Sequence, residues 1–166
     1  NERGVPFKKG VGIFIDEFFK RLEDSDIFMM TNKLVTDNLF CQKIKELGLY
    51  YFLFERTKHV SMLAQLYVNG DYYKTHADSE IYTCITQLHK TPKKFTGGEL
   101  HFDEFNYEIS LEDNQAILFP CPLRHGVKQV KMEEEDPQYG RFTVSQFISG
   151  NKPKIWKIIT LITRTS

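Results

Sequence analysis

Short runs of aromatic and β-branched residues, most of them separated by Gly, Pro, Asn or Asp, fill the chain from about residue 50. Six of these runs are VSMLAQLYV (60–68), IYTCITQL (81–88), GELHF (98–102), QAILFP (115–120), HGVKQV (125–130) and RFTVSQFI (141–148). YYFLFER (50–56) and KIWKIITLIT (154–163) have the same character. The pattern is typical of β-strands and predicts seven or eight of them, without the alternation of strands and helices found in doubly wound folds.

The first third of the chain has a helical pattern instead. Asp37 is a typical N-cap residue, and Phe40, Ile44 and Leu47 follow it at helical spacing. An earlier stretch, DEFFKRLEDSDIF (16–28), carries apolar residues at mixed helical spacing. Strands that follow a helical segment predict a β-sandwich or barrel with helices packed on one side.

The size of the chain fits a single domain. It has 166 residues, of which 41% are hydrophobic and 14% aromatic. We therefore predict one domain over residues 1–166, with a helical support region at 1–49 and a β core at 50–166.

Charge and cysteine usage narrow the possible partners and compartments. Lys and Arg number 22, as do Asp and Glu, so the basic excess of a nucleic-acid-binding surface is missing and no nucleic-acid partner is expected. Cys41, Cys84 and Cys121 form no CxxC pair, which favours a reducing compartment. The sequence shows no signal peptide and no apolar run that could cross a bilayer, so we expect an intracellular, cytoplasmic protein without a membrane partner.

Candidate chemistry is concentrated in YKTHADSE (73–80), where His76 and Asp78 lie one residue apart. In an extended backbone, residues i and i+2 face the same side about 6.5–7 Å apart, so both side chains can reach one metal ion. Two histidines and one carboxylate on one face form the site of non-haem Fe(II) oxygenases. One alternative is a zinc site with the same ligands, and another is that these residues are polar groups exposed at the surface. The chain holds a second HxD pair, His101 and Asp103, so the pair alone is not specific.

The surroundings distinguish the two HxD pairs. The first pair ends the pattern YxxGxxYxxHxD, formed by Tyr67, Gly70, Tyr73, His76 and Asp78. Downstream follow His125, in LFPCPLRHGVKQV, and Arg141, in GRFTVSQFI.

Over about residues 60–150, this combination resembles the 2-oxoglutarate- and Fe(II)-dependent dioxygenases, specifically their prolyl 4-hydroxylase-like branch. That branch has an HxD pair, a distal histidine some tens of residues later, and an Arg or Lys on the following strand. Here Asp78 precedes His125 by 47 residues, and His125 precedes Arg141 by 16. We attribute the unusual length of the second interval to an acidic loop at 133–139. The resemblance implies a mainly β fold with N-terminal helices and a double-stranded β-helix core of the jelly-roll or cupin type.

The resemblance also implies roles for individual residues. His76, Asp78 and His125 would hold the catalytic Fe(II), and Arg141 would bind the distal carboxylate of the cosubstrate 2-oxoglutarate. Further cosubstrate contacts are expected from three side chains: Tyr67, Thr143 and Gln87. Two more are expected at the substrate mouth: Glu99 and His101.

The activity that the resemblance implies is hydroxylation of an unactivated C–H bond with O2. In this family 2-oxoglutarate is converted to succinate and CO2, and ascorbate is a possible further requirement. The substrate implied is a prolyl residue of a peptide or protein. One alternative is the same chemistry on a free amino acid, another small molecule or a nucleobase. A second is a non-catalytic jelly-roll module that binds a metal or a ligand.

Overall fold

Two five-stranded antiparallel sheets form the centre of the molecule, as seen in a computed structural model that describes residues 5–48, 54, 57 and 59–150. The first sheet consists, in spatial order, of β1 (Lys8–Lys9), β4 (Tyr72–His76), β10 (His125–Val127), β7 (Leu100–Phe102) and β8 (Tyr107–Ile109). The second consists of β2 (Val11–Phe14), β3 (His59–Tyr67), β12 (Arg141–Ser149), β5 (Tyr82–Leu88) and β9 (Gln115–Pro120). A small third sheet pairs β6 (Phe95–Thr96) with β11 (Lys131–Met132).

The core lies between the two large sheets because alternate residues of each strand point inward. Nine buried apolar residues pack there: Tyr67, Ile85, Phe95, Leu100, Phe102, Phe119, Val127, Val130 and Met132. Two antiparallel sheets facing each other over one core confirm the predicted mainly β, double-stranded β-helix architecture.

Helices cover the outer face of the second sheet. They are α1 (Ile15–Phe18), α2 (Asp26–Thr36) and α3 (Asn38–Glu46). The carboxylate of Asp37 accepts a hydrogen bond from the Phe40 backbone N–H at 2.8 Å, so the predicted N-cap and its helix are confirmed. Val35 and Ile44 pack from these helices into a cluster with Ile148 of the sheet.

The stretch 16–28 is less regular than its apolar spacing suggests. It contains only the end of α1, a 3-10 turn at Leu22–Asp24 and the start of α2. The hydroxyl of Ser25 accepts from the Phe28 N–H and begins α2 there. Since Ser favours helix starts over helix interiors, this residue divides the stretch.

The predicted helical region at 1–49 begins with strands in its described part. β1 pairs with β4 of the first sheet, and β2 pairs with β3 of the second. These strands are two and four residues long, too short for periodicity to indicate them. They form because each finds an open sheet edge to pair with.

Six predicted strands coincide with β3, β5, β7, β9, β10 and β12, and the acidic residues 133–135 are exposed as expected for a loop. The predicted strand at 154–163 lies outside the described residues, as does most of 50–56. No helix in the described part of the chain has both the length and the apolar character needed to cross a bilayer.

Candidate active site

His76, Asp78 and His125, the three predicted metal ligands, meet at the edge where β4 and β10 are paired. His76 ends β4, Asp78 follows two residues later, and His125 begins β10 directly opposite His76. His76 Nε2 lies 3.6 Å from Asp78 Oδ1, and His125 Nε2 lies 3.6 Å from Asp78 Oδ2. One candidate ligand atom from each residue lies within 4.8 Å of the other two, a spacing that suits a single metal ion.

Backbone carbonyls determine which ring nitrogen of each histidine faces the centre. His76 Nδ1 lies 2.9 Å from the Lys74 carbonyl oxygen, and His125 Nδ1 lies 2.9 Å from that of Leu123. Because a carbonyl oxygen can only accept, each Nδ1 carries the proton and donates it. In a neutral imidazole the lone pair is then on Nε2, which faces the carboxylate. Lone pairs and a carboxylate that converge in this way are the donor set of a divalent cation.

The electrostatics at His76 favour the neutral imidazole. Burial lowers the pKa of His76 below its ordinary value, and the charge of His125 acts in the same direction. The Lys74 carbonyl and Asp78 oppose this effect without reversing it. A neutral ring is the form that can bind a metal.

Asp78 is oriented by a residue that the sequence pattern did not indicate. The hydroxyl of Thr83, at the start of β5, donates to Asp78 Oδ2, and the Asp78 N–H donates to the Cys121 carbonyl at 3.2 Å. Thr83 Oγ1 also lies 3.1 Å from Cys121 Sγ. A five-residue offset across a turn belongs to no motif, so Thr83 could be found only once the turn was known.

Arg141 begins β12 opposite Tyr67 and is 2% exposed. Burial lowers the pKa of Arg141 to about 10, although the nearby Tyr67 and Glu99 act in the opposite direction. Its guanidinium lies 5.4 Å from the centroid of the Tyr67 ring. Within the described residues it has no ion pair and no hydrogen-bond acceptor, and Nε is buried without a partner. A buried cation without an ion-pair partner is costly, so this position fits an anionic ligand.

One cavity of about 230 Å³ connects Arg141 with the three candidate metal ligands. Tyr67 and Thr143, two of the predicted cosubstrate contacts, line it as well. Gln65 and Ser145 also line it and were not predicted. They lie two residues from Tyr67 and Thr143 on the same strand faces, so a period of two could have found them.

Gln87 does not line this cavity, in contrast to its predicted role. It is buried opposite Thr143, on the inward face of β5, as alternation requires. Its side-chain amide donates to the Leu111 carbonyl and is therefore already engaged.

Glu99 and His101 were predicted at the substrate mouth, but they do not line this cavity either. Leu100 and Phe102 of β7 point into the core, so His101 between them points to the outer face of the sheet. There His101 Nε2 lies 3.1 Å from Thr75 Oγ1. Glu99 is half-buried, and its charge acts on Arg141 from outside the cavity lining.

Two residues that line the cavity come from the N-terminal strands. Lys8 of β1 and Phe14 of β2 reach it beside the candidate ligands. They are more than 50 residues from His76 in sequence, and no motif connects them to the HxD pair.

Comparison with known proteins supports the same chemistry. The family model described as the 2OG-Fe(II) oxygenase superfamily matches residues 62–149, a span that includes all three candidate ligands and Arg141. No curated protein sequence gives a significant match.

Solved structures with a similar fold include two prolyl hydroxylases. A Pseudomonas putida prolyl-4-hydroxylase superposes with a TM-score of 0.55 and 14% identity, over 91% of this chain and 77% of its own. The viral collagen prolyl hydroxylase of Paramecium Bursaria Chlorella virus-1, solved as a 2OG complex, superposes with a TM-score of 0.54 and 14% identity. The match covers 87% of this chain and 80% of the viral enzyme. A 2OG-Fe(II) oxygenase family oxidoreductase from Burkholderia pseudomallei superposes with a TM-score of 0.52 and 15% identity, over 78% of this chain. The chain spans only 59% of that last protein, and at these identities the likeness shows a shared fold.

Proposed function

The chain belongs to the 2OG-Fe(II) oxygenase superfamily, a family of dioxygenases, and we propose that it hydroxylates an unactivated C–H bond of a prolyl residue in a peptide or protein. The reaction consumes O2 and converts 2-oxoglutarate to succinate and CO2. The observation that carries this proposal is a single cavity that joins a His-Asp-His cluster to a buried arginine, which has no ion-pair partner among the described residues.

The residues present fit both implied groups. His76 Nε2, His125 Nε2 and one carboxylate oxygen of Asp78 would hold Fe(II) on one face and leave other coordination positions open. When bound, Fe(II) together with 2-oxoglutarate supplies the oxidising power for C–H hydroxylation. Thr83 keeps the carboxylate of Asp78 turned toward the two imidazoles.

Arg141 and its neighbours form the part of the cavity that would bind the cosubstrate. The planar guanidinium of Arg141 can pair with a carboxylate through two parallel hydrogen bonds. Gln65 Nε2 donates to the Tyr67 hydroxyl oxygen at 2.9 Å, so the Tyr67 proton can be donated to the same carboxylate. Thr143, two residues after Arg141, adds a second hydroxyl on the same strand face.

Apolar side chains separate these two ends of the cavity from bulk water. Ile85, Leu100 and Val127 line it and belong to the core between the sheets. Their presence lowers the local dielectric constant, which strengthens the contact of Arg141 with a carboxylate.

The prolyl substrate is supported by the two prolyl hydroxylases among the similar structures. Since loops that differ between relatives determine specificity, a free amino acid, another small molecule or a nucleobase stays the alternative substrate. A non-catalytic binding module would have no need of both the His-Asp-His cluster and Arg141.

The test is incubation of the protein with Fe(II), 2-oxoglutarate, ascorbate and a set of proline-rich peptides. We expect succinate and a peptide product heavier by about 16 mass units, one oxygen atom. His76→Ala is the control variant and is expected to yield neither. Succinate formation without peptide oxidation would exclude the prolyl substrate, and no succinate under any condition would favour the non-catalytic alternative. Repeating the assay without ascorbate shows whether it is required.

We also propose a reducing, cytoplasmic environment. None of the three cysteines forms a disulfide. Burial raises the pKa of both Cys84 and Cys121 to about 12, so neither thiol is reactive at neutral pH.

A further inference from the structure

The N-terminal segment 6–14 crosses from one sheet to the other and contributes to the cavity. β1 pairs with β4, which places Lys8 opposite Tyr73, and β2 continues along the other sheet to Phe14. Gly10, between the two strands, has a φ of +149°, which side-chain-bearing residues rarely adopt, so the chain can turn there. Lys8 and Phe14 consequently line the cavity that contains the candidate metal ligands.

Lys8 has no carboxylate partner in the described ranges, although the lysine beside it has one. The Lys9 ammonium lies 3.6 Å from Asp71 and outside the cavity lining. The Lys8 ammonium instead lies 4.8 Å from the centroid of the Tyr73 ring, a weak contact. Burial lowers the pKa of Lys8 below its ordinary value.

The position of Lys8 is close to the candidate metal site. The Tyr73 ring stacks on His76 with 3.8 Å between centroids. The Lys8 ammonium is therefore at most 8.6 Å from the His76 ring centroid, the sum of the two distances. A ligand of the metal site that extends toward the cavity mouth can reach it.

The other charges that line the cavity do not balance the positive charge of Lys8. The other charged side chains in the lining, Asp78 and Arg141, have opposite signs. Fe(II) and the two carboxylates of 2-oxoglutarate cancel each other. Glu99 acts on Arg141 but does not line the cavity. With metal and cosubstrate bound, the half-buried ammonium of Lys8 still attracts an anionic group, and a charge-assisted hydrogen bond would form there.

The size of the cavity indicates which molecule supplies that group. Its 230 Å³ is below the range of about 300–1,000 Å³ that is usual for ligand sites, and the cosubstrate occupies part of it. A carboxylate carried by a small molecule or by a chain terminus fits the remaining space best. We propose that Lys8 binds a carboxylate of the substrate, which is a free amino acid or a peptide whose reacting residue is C-terminal. This inference rests on the proposed function and narrows its substrate class.

The test compares acids with their amides by calorimetry under nitrogen, on protein loaded with Mn(II) and 2-oxoglutarate. The probes are L-proline and L-prolinamide, and one tripeptide ending in proline as the free acid and as the carboxamide. We expect each acid to bind about tenfold or more tightly than its amide. Lys8→Gln is expected to remove this preference, and Lys8→Arg to retain it. Lys9→Gln is the matched control and is expected to behave as the wild type.

Three results would overturn the inference: no preference for the acids, no binding of either form, or a preference that survives in Lys8→Gln. Weaker binding of 2-oxoglutarate to Lys8→Gln, without any acid preference in the wild type, would assign Lys8 to the cosubstrate and also overturn it. Binding of 2-oxoglutarate to the Mn(II)-loaded wild type is measured first. Its absence would contradict the proposed function, whereas its presence without acid preference contradicts only the substrate inference.

Discussion

His76 and His125 are registered partners on two neighbouring antiparallel strands, and their ring centroids lie 4.4 Å apart. Strand pairing thus brings together two residues that are far apart in sequence. Between His125 and Val127 the register shifts, and such an irregularity re-aims a side chain. The pairing of β4 with β10 therefore positions two of the three candidate ligands, and only Asp78 depends on the turn that follows.

The first prediction separates the two HxD pairs. His76→Ala is expected to weaken Mn(II) or Fe(II) binding by at least about 100-fold, because it removes one of three ligands. His101→Ala is the matched control and is expected to bind metal like the wild type, since His101 lies on the outer face of its sheet. Calorimetry under nitrogen measures both. Equal losses in the two variants would contradict the assignment of His76.

Thr83 provides a test of carboxylate orientation. Thr83→Val keeps the shape of the side chain and removes the hydroxyl that donates to Asp78. We expect metal affinity to fall about 10-fold or more, as is usual when a partner of a metal ligand is lost. Thr83→Ser restores the hydroxyl and is expected to recover most of the affinity. A merely structural role would instead be seen as equal destabilisation in both variants, without this difference in metal binding.

Without a bound anion, Arg141 is expected to lower the free energy of unfolding. Arg141→Met removes a buried, uncompensated charge, so the free energy of unfolding without ligands is expected to rise by about 1–3 kcal/mol. The same variant should lose the stabilisation by 2-oxoglutarate, which at 100 times the dissociation constant is about 2.7 kcal/mol. Urea unfolding with and without 2-oxoglutarate measures both effects. Arg124→Met, at an exposed position, is the control. Undiminished stabilisation of Arg141→Met would contradict the assignment.

The lowered pKa of His76 predicts how stability depends on pH. Below pH 6.5 the imidazole of the unfolded chain takes up a proton, while the buried ring in the folded protein stays neutral until a lower pH. The unfolded state then binds more protons, so the free energy of unfolding of the metal-free protein falls as the pH decreases from 6.5. His76→Asn lacks this titration and is expected to show a shallower decline. Urea unfolding in EDTA measures both proteins over this pH range. Parallel declines of the free energy of unfolding would contradict the neutral state of His76.

The long strands and the pair His76 and Asp78 could be predicted because the information for them is local. β3, β5, β9 and β12 coincide with apolar runs, and Tyr67, which the resemblance assigned to the cosubstrate, lines the cavity. His76 and Asp78 are close enough in sequence for strand geometry to predict their convergence. His125 and Arg141 needed the family resemblance, since no local pattern connects them to the first pair.

What could not be predicted depends on contacts between distant segments. β1 forms because β4 offers an edge to pair with, and Lys8 enters the cavity only through that pairing. Gln87 was expected to contact the cosubstrate, but the Leu111 carbonyl, supplied by a loop 24 residues away, engages its amide. His101 was misplaced although it lies between Leu100 and Phe102 in a predicted strand, where alternation already turns it to the outer face.

Absorption spectroscopy of the purified protein under nitrogen tests the cooperation of the His-Asp-His cluster with Arg141 most directly. When Fe(II) and 2-oxoglutarate are both added, we expect a weak visible metal-to-ligand charge-transfer band that neither produces alone. At the same concentrations, the band is expected to be absent from Arg141→Met. Iron binding without such a band in the wild type, or an undiminished band in Arg141→Met, would contradict the account.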